Sequence, residues 1–191
     1  NESLLLWINQ GCHTPELDVL FSWVSEKNTF SFPLLGIIIL FLGFRYGKSG
    51  WLLGFLMLLV VGTGDLLGNF LKSVFAQPRP CLELWELIRM PHAESTRCMS
   101  SESGMPSNHA LNFFATFSFL SFFIRRHTIT ILSIVLCTLV ALSRVYLGEH
   151  FPSQVISGAL IGIAYGLTIA LVCRHYFSKM LDNPLSTFIK K

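Results

Sequence analysis

Five long apolar runs, near residues 30–46, 50–75, 107–125, 128–147 and 152–174, constrain this chain more than any other feature. Each is close to or above the roughly 17–25 residues a helix needs to cross a bilayer. In lipid every backbone N–H and C=O must be satisfied within the segment, so runs of this length become helices. The sequence therefore predicts an all-α integral membrane bundle of about five transmembrane helices, one membrane-embedded domain over 1–191. Composition agrees, with 52% hydrophobic and 13% charged residues, where soluble domains carry about 25% charged residues. No nucleic-acid partner is expected, and no oligomeric state follows.

Before the first span, Leu17, Leu20, Phe21 and Val24 recur at helical spacing with Glu16, Asp18 and Glu26 between them. This predicts an amphipathic helix over 15–26 inside an interfacial segment, 1–29, and no sixth span. Leu4 to Ile8 is too short for a cleavable signal and has no basic region before it. Pro33 suits the opening turn of the first span. Arg45, Lys48, Arg125, Arg126, Arg174, Lys179, Lys190 and Lys191 fall on one side of this topology, which the positive-inside rule makes cytoplasmic. The expected location is a bacterial cytoplasmic membrane. The long loop 77–106 then faces the periplasm or exterior. Cys81 and Cys98 in that loop are candidates for a disulfide on an oxidising face, two free thiols being the alternative. Gly64 and Gly68, and Gly158, Gly162 and Gly166, form small-residue stripes that predict close helix packing.

The remaining polarity is concentrated in three clusters at bilayer edges. Lys72 closes the second span and Arg79-Pro80 follows. Pro106, Ser107, Asn108 and His109 open the third span, Ser143 and Arg144 close the fourth, and His150 opens the fifth. Two helices ending and two beginning on one face bring these residues to one depth. Lys72, Arg79 and Arg144 match the charge of a phosphate, and arginine adds bidentate geometry. The start of the third span adds the Ser107 hydroxyl and backbone N–H groups, that of Asn108 among them. Taken singly, each has a plainer reading as a snorkelling cation, a cap or a loop turn. Asp65 shares a helix stripe with Asn69 and Lys72 and reads as buried packing polarity. No cofactor and no metal site are expected, since neither loop cysteine has a CxxC partner and no HExxH-like pair occurs.

Lysine, six residues, Arg-Pro; then Pro-Ser-x-His; then Ser-Arg, five residues, His resembles the three-part signature of the type-2 phosphatidic acid phosphatase family, which is related to bacterial acid phosphatases and vanadium haloperoxidases. The resemblance runs from about residue 65 to 165. It implies a metal-independent phosphatase in which His150 attacks phosphorus and His109 protonates the leaving oxygen and then activates water. It also implies that Lys72, Arg79, Arg144 and Ser107 hold the phosphoryl oxygens. Two positions depart from the family pattern. Asn108 stands where glycine is usual, and its side chain must find room. Gln154 stands where the family has an aspartate accepting the other N–H of the nucleophilic histidine; it can orient the ring but supplies no charge. Glu149 or Asp65 would be the carboxylates available to compensate.

A site at the outer membrane edge favours a phosphorylated lipid as partner, within a bed of membrane lipids. Outward orientation and small size lean toward lipid A, dephosphorylated at its 1-position, with undecaprenyl diphosphate and phosphatidylglycerophosphate as alternatives. Trp85, Arg89, His92 and Arg97 in the outer loop are candidates to read a sugar or second phosphate, or are simply solvated. A catalytically weak lipid-phosphate binder is the rival reading, with Gln154 as its mark. A carrier fits less well, because the polar residues collect at one edge and not at the midplane.

Overall fold

The structure, a computed structural model, describes residues 1–91 and 103–185, with side chains to residue 177. The α-helices among these residues are α1 (Glu2–Leu6), α2 (Pro15–Ser25), α3 (Phe32–Tyr46), α4 (Lys48–Phe75), α5 (Pro80–Glu83), α6 (Asn108–Ile124), α7 (His127–Tyr146) and α8 (Pro152–Leu185). Single π-helical turns, Trp7–Gly11 and Lys27–Ser31, continue α1 and lead into α3.

Among the described residues, four segments are long and apolar enough to cross a membrane: Lys27–Tyr46, Lys48–Phe75, His127–Tyr146 and Pro152–Phe177. The other expected span is α6, whose 17 residues give about 25 Å of helix. It is the central helix, packed most extensively on α8 and then on α7 and α4. Its buried residues include the adjacent pairs Ala110 and Leu111, Phe119 and Leu120, and Phe123 and Ile124, the pattern of a helix enclosed on several sides.

The boundaries follow local chemistry. Thr14 caps α2 by accepting the Leu17 N–H at 3.2 Å, with Pro15 in the first turn. Gly47, at φ +59°, is the only residue between α3 and α4 and supplies a conformation that L side chains rarely adopt. The first span begins at Lys27, three residues before the expected 30, because the π turn from Glu26 carries into α3. The last helix overruns the expected 174 and reaches Leu185, with a break in helical geometry at Phe177.

Glycine stripes set the helix spacing. A Cβ on Gly158 would lie 2.6 Å from the carbonyl oxygen of Ser107, and Cβ atoms on Gly162 and Gly166 would strike the carbonyls of Leu111 and Ala115. The backbones of α6 and α8 are therefore in direct contact along three turns.

The N-terminal segment is more than an interfacial helix, because it clamps the loops at one end of the bundle. Asn9 is fully buried; its Nδ2 donates to the carbonyls of Arg89 (2.8 Å) and Tyr146 (2.6 Å), and its Oδ1 accepts the Arg89 N–H at 2.7 Å. Arg89 forms a bidentate pair with Asp18 at 2.7 and 2.6 Å, and the Tyr146 hydroxyl donates to the same carboxylate at 2.6 Å. The Arg89 hydrogen bonds, helped by Tyr146, hold the Asp18 carboxyl down at about 2. Arg89 is thus committed to this clamp, and Trp85 is exposed. His92, Arg97 and Cys98 lie outside the described residues. Cys81 is disulfide-bonded.

Candidate active site

α4 and α7 end, and α6 and α8 begin, at the same end of the bundle, so the three clusters converge. Lys72, Arg79, Arg144, His109 and His150 all line one cavity of about 450 Å³. Lys72 comes from the last turn of α4, and Arg79 from the residue before α5. Arg144 sits in the last turn of α7, and its carbonyl accepts the N–H of Glu149 at 3.0 Å and of His150 at 3.2 Å. Its guanidinium also donates to Ser25 Oγ and Glu149 Oε2. Arg79, Arg144 and His150 are all buried.

The tautomer of His150 follows from its neighbour. Gln154 is fully buried; its Oε1 accepts the Phe151 N–H at 3.2 Å and its Nε2 donates to the Pro78 carbonyl at 2.8 Å. An N–H only donates and a carbonyl only accepts, so the amide has one satisfactory orientation. Oε1 then faces His150 Nδ1 at 3.2 Å, which requires the proton on Nδ1 and leaves the lone pair on Nε2. Burial first, then the charges of Arg144, Arg79 and Lys72, hold this imidazole well below the usual histidine range. A neutral ring with a free Nε2 is the form a nucleophile needs. Neither compensating carboxylate reaches this ring among the hydrogen bonds described: Glu149 is engaged by Arg144, and Asp65 by Asn108 and Asn112.

His109 presents its second nitrogen in a similar way. Its ring bonds the backbone of Ser25, and its Nε2 is buried with no hydrogen-bond partner among the described residues. Ser107 is fully buried against Gly158 of α8; its N–H is spent on the Gln154 carbonyl at 3.0 Å, its Oγ has no hydrogen-bond partner among the described residues, and it does not line the cavity. The Ser143 hydroxyl turns back to the Val140 carbonyl at 2.7 Å. Asn108 finds its room in a glycine notch. Its Oδ1 lies within clashing distance of the point a Cβ on Gly68 would occupy, and its Nδ2 donates to Asn69 Oδ1 at 2.9 Å and Asp65 Oδ1 at 3.4 Å. Its side chain therefore ties α6 to α4, which leaves the first-turn N–H groups of α6 as the donors this helix start can offer an anion.

Ser25, Glu26, Lys27 and Asn28 also line the cavity, and the sequence reading placed none of them there. They belong to the end of α2 and the turn after it, and their only sequence signal is polar residues just before an apolar run.

The model of the PAP2 superfamily matches residues 49–178 of the chain. The lipid A 4'-phosphatase of Porphyromonas gingivalis is 30% identical over 185 residues, covering 94% of this chain and 75% of that protein. Two solved structures are similar throughout. The transmembrane PAP2-type phosphatidylglycerolphosphate phosphatase of Bacillus subtilis has a TM-score of 0.69 at 26% identity, covering 91% of this chain and 86% of that one. LpxE of Aquifex aeolicus has a TM-score of 0.68 at 28% identity, covering 90% and 94%.

Proposed function

The chain belongs to the PAP2 superfamily and is an integral membrane lipid phosphatase; from that premise we propose that it works through a phosphohistidine at the outer face of a bacterial cytoplasmic membrane. His150 Nε2 attacks phosphorus, forming the N–P bond as the ester or anhydride P–O bond breaks, and His109, entering the step as the imidazolium with a proton taken up on binding the anionic substrate, protonates the departing oxygen. His109, now neutral, takes a proton from water, which attacks phosphorus and releases phosphate and neutral His150. Lys72, Arg79 and Arg144, with the N–H groups opening α6, stabilise the charge on the five-coordinate phosphoryl group, each contact being worth about 3 kcal/mol of barrier. Gln154 is the positioning residue that holds the proton on Nδ1. The observation that carries this reading is the convergence of two imidazoles and the three motif cations, Lys72, Arg79 and Arg144, on one cavity that Lys27 also lines. The fixed Gln154 amide supports turnover over mere binding, because it leaves the nucleophilic nitrogen unprotonated.

For the substrate, the reading is lipid A, dephosphorylated at its 1-position, supported by the outward orientation expected from the charges and by similarity to a lipid A 4'-phosphatase over nearly the whole chain. Similarity to a phosphatidylglycerolphosphate phosphatase supports the second reading. Phosphate release in detergent micelles from lipid A, phosphatidylglycerophosphate and undecaprenyl diphosphate decides among them. The expected result is release fastest from lipid A, resistant to EDTA and inhibited by vanadate. Saturable binding of all three without release would replace the enzyme with a lipid-phosphate binder. In the same proposal Cys81 pairs with Cys98 across the outer loop.

A further inference from the structure

Asp65 lies seven residues along α4 from Lys72, about 10 Å deeper into the bundle. An ionisable group at such a depth is costly in lipid and marks a function by default. Only one of its oxygens has a structural use: Oδ1 accepts Asn112 Nδ2 at 2.7 Å and Asn108 Nδ2 at 3.4 Å, and Oδ2 receives no hydrogen bond among the described residues. The carboxylate lines the phosphate cavity and also a neighbouring cleft of about 70 Å³ between α3, α4 and α6, walled by Phe32, Leu35, Ile38, Phe113 and Phe117. Lys27, Asn108, His109 and Asn112 also line that cleft, together with Ser31 and Thr116, whose hydroxyls are buried with no hydrogen-bond partner among the described residues. Hydrogen-bonding capacity is thus left unspent where the phosphate cavity passes into an apolar cleft.

We propose that Asp65 is a specificity-determining residue whose Oδ2 accepts a hydrogen bond from a hydroxyl or amide N–H that the substrate lipid carries within roughly 10 Å of its scissile phosphate. The inference rests on the phosphatase reading above and narrows it. The substrate is a phosphorylated lipid with a donor-bearing backbone, an amino sugar or a glycerol, and not a polyprenyl phosphate. A polyprenyl chain offers no donor and would leave the carboxylate unpaired against hydrocarbon, the situation in which a polar site discriminates most strongly.

The test compares kcat/KM for lysophosphatidate, which has a free hydroxyl, with its 2-deoxy analogue, in the parent and in Asp65→Asn. Asparagine keeps an oxygen for Asn108 and Asn112, and a melting curve checks that the fold survives. The parent should favour the hydroxyl-bearing lipid about tenfold, the scale of a hydrogen bond to a charged group, and the preference should fall toward one in the variant. Lipid A in a third arm identifies the source: a larger loss there assigns the donor to the amino sugar, and a larger loss on lysophosphatidate assigns it to glycerol. A parent ratio near one, or equal losses on both lipids in Asp65→Asn, overturns the role of Asp65 and leaves the phosphatase intact. No release from any lipid by the parent overturns the phosphatase reading and this inference with it.

Discussion

Gln154 distributes one amide over three partners, His150, Phe151 and Pro78, and so fixes a tautomer without adding charge. Gln154→Leu removes the acceptor, and phosphate-release assays should show kcat lower by about 10² to 10⁴, the upper figure being the cost of a wrong tautomer in a serine-protease triad. Gln154→Asp restores a negative charge beside Nδ1 and stabilises the imidazolium. In the parent, burial and three cations hold His150 neutral to well below its usual range, so protonation of the nucleophile limits kcat/KM only well below pH 6.5. With aspartate that acid limb should move to higher pH, as read from a pH profile; an unmoved limb would show that residue 154 does not touch the nucleophile's protonation. The sequence made much of this site legible. The motif residues are contiguous or bound to helix ends, and Gln154 is four residues from His150, within reach at a helix start. Pro78 as the second anchor was not legible, since it is 76 residues away and joined only by tertiary packing.

Helix elements differ in what their glycines avoid. Opposite Gly162 the obstacle is the Leu111 backbone; opposite Gly68 it is the Asn108 side chain, whose Cγ would lie 2.9 Å from an added Cβ. Gly162→Ala should therefore cost about 3 kcal/mol or more, because two backbones must separate, and no single side-chain change should rescue it. Gly68→Ala should cost about 1–2 kcal/mol and be largely rescued by Asn108→Gly, a coupling that a double-mutant cycle of thermal stability measures. The four-residue spacing announced close packing in the sequence, but not its partners, which depend on how α4, α6 and α8 are rotated. The same limit hid the contribution of Ser25 and Lys27: amphipathicity gives a helix that lies in the interface, and it takes tertiary contacts, the Asp18–Arg89 pair and the Arg144–Ser25 bond among them, to hold its end over the cavity.

Across the whole molecule, that clamp joins the N-terminal segment to the loop before α6 and to the end of α7. Asp18 has its carboxyl at about 2, against 3.8 when unperturbed. The stabilisation is complete above pH 3.8 and is lost as pH falls toward 2, amounting to about 1–2 kcal/mol for this partly exposed pair. Melting temperatures of the parent and Asp18→Asn should thus differ at pH 6 and converge as the pH is lowered through this window. The all-α membrane bundle and the shared end of the three clusters were readable because run length and motif position survive without tertiary information; of the five expected spans, four are long and apolar enough among the described residues. Orientation rests on charge bias alone. A membrane-impermeant maleimide added to intact cells, with native thiols blocked, should label Gln77→Cys and spare Lys48→Cys; the reverse pattern would place the cavity on the cytoplasmic side.

One phosphoryl pocket with His150 as its nucleophile is tested most directly by mass spectrometry of enzyme quenched in alkali during turnover of a lipid phosphate. The phosphoryl group should be found on His150, should accumulate in His109→Ala with a substrate whose leaving group needs no proton, and should be absent along with turnover in His150→Ala. Phosphate release from His150→Ala at a near-parental rate, or a phosphoryl group on any other residue, would contradict it.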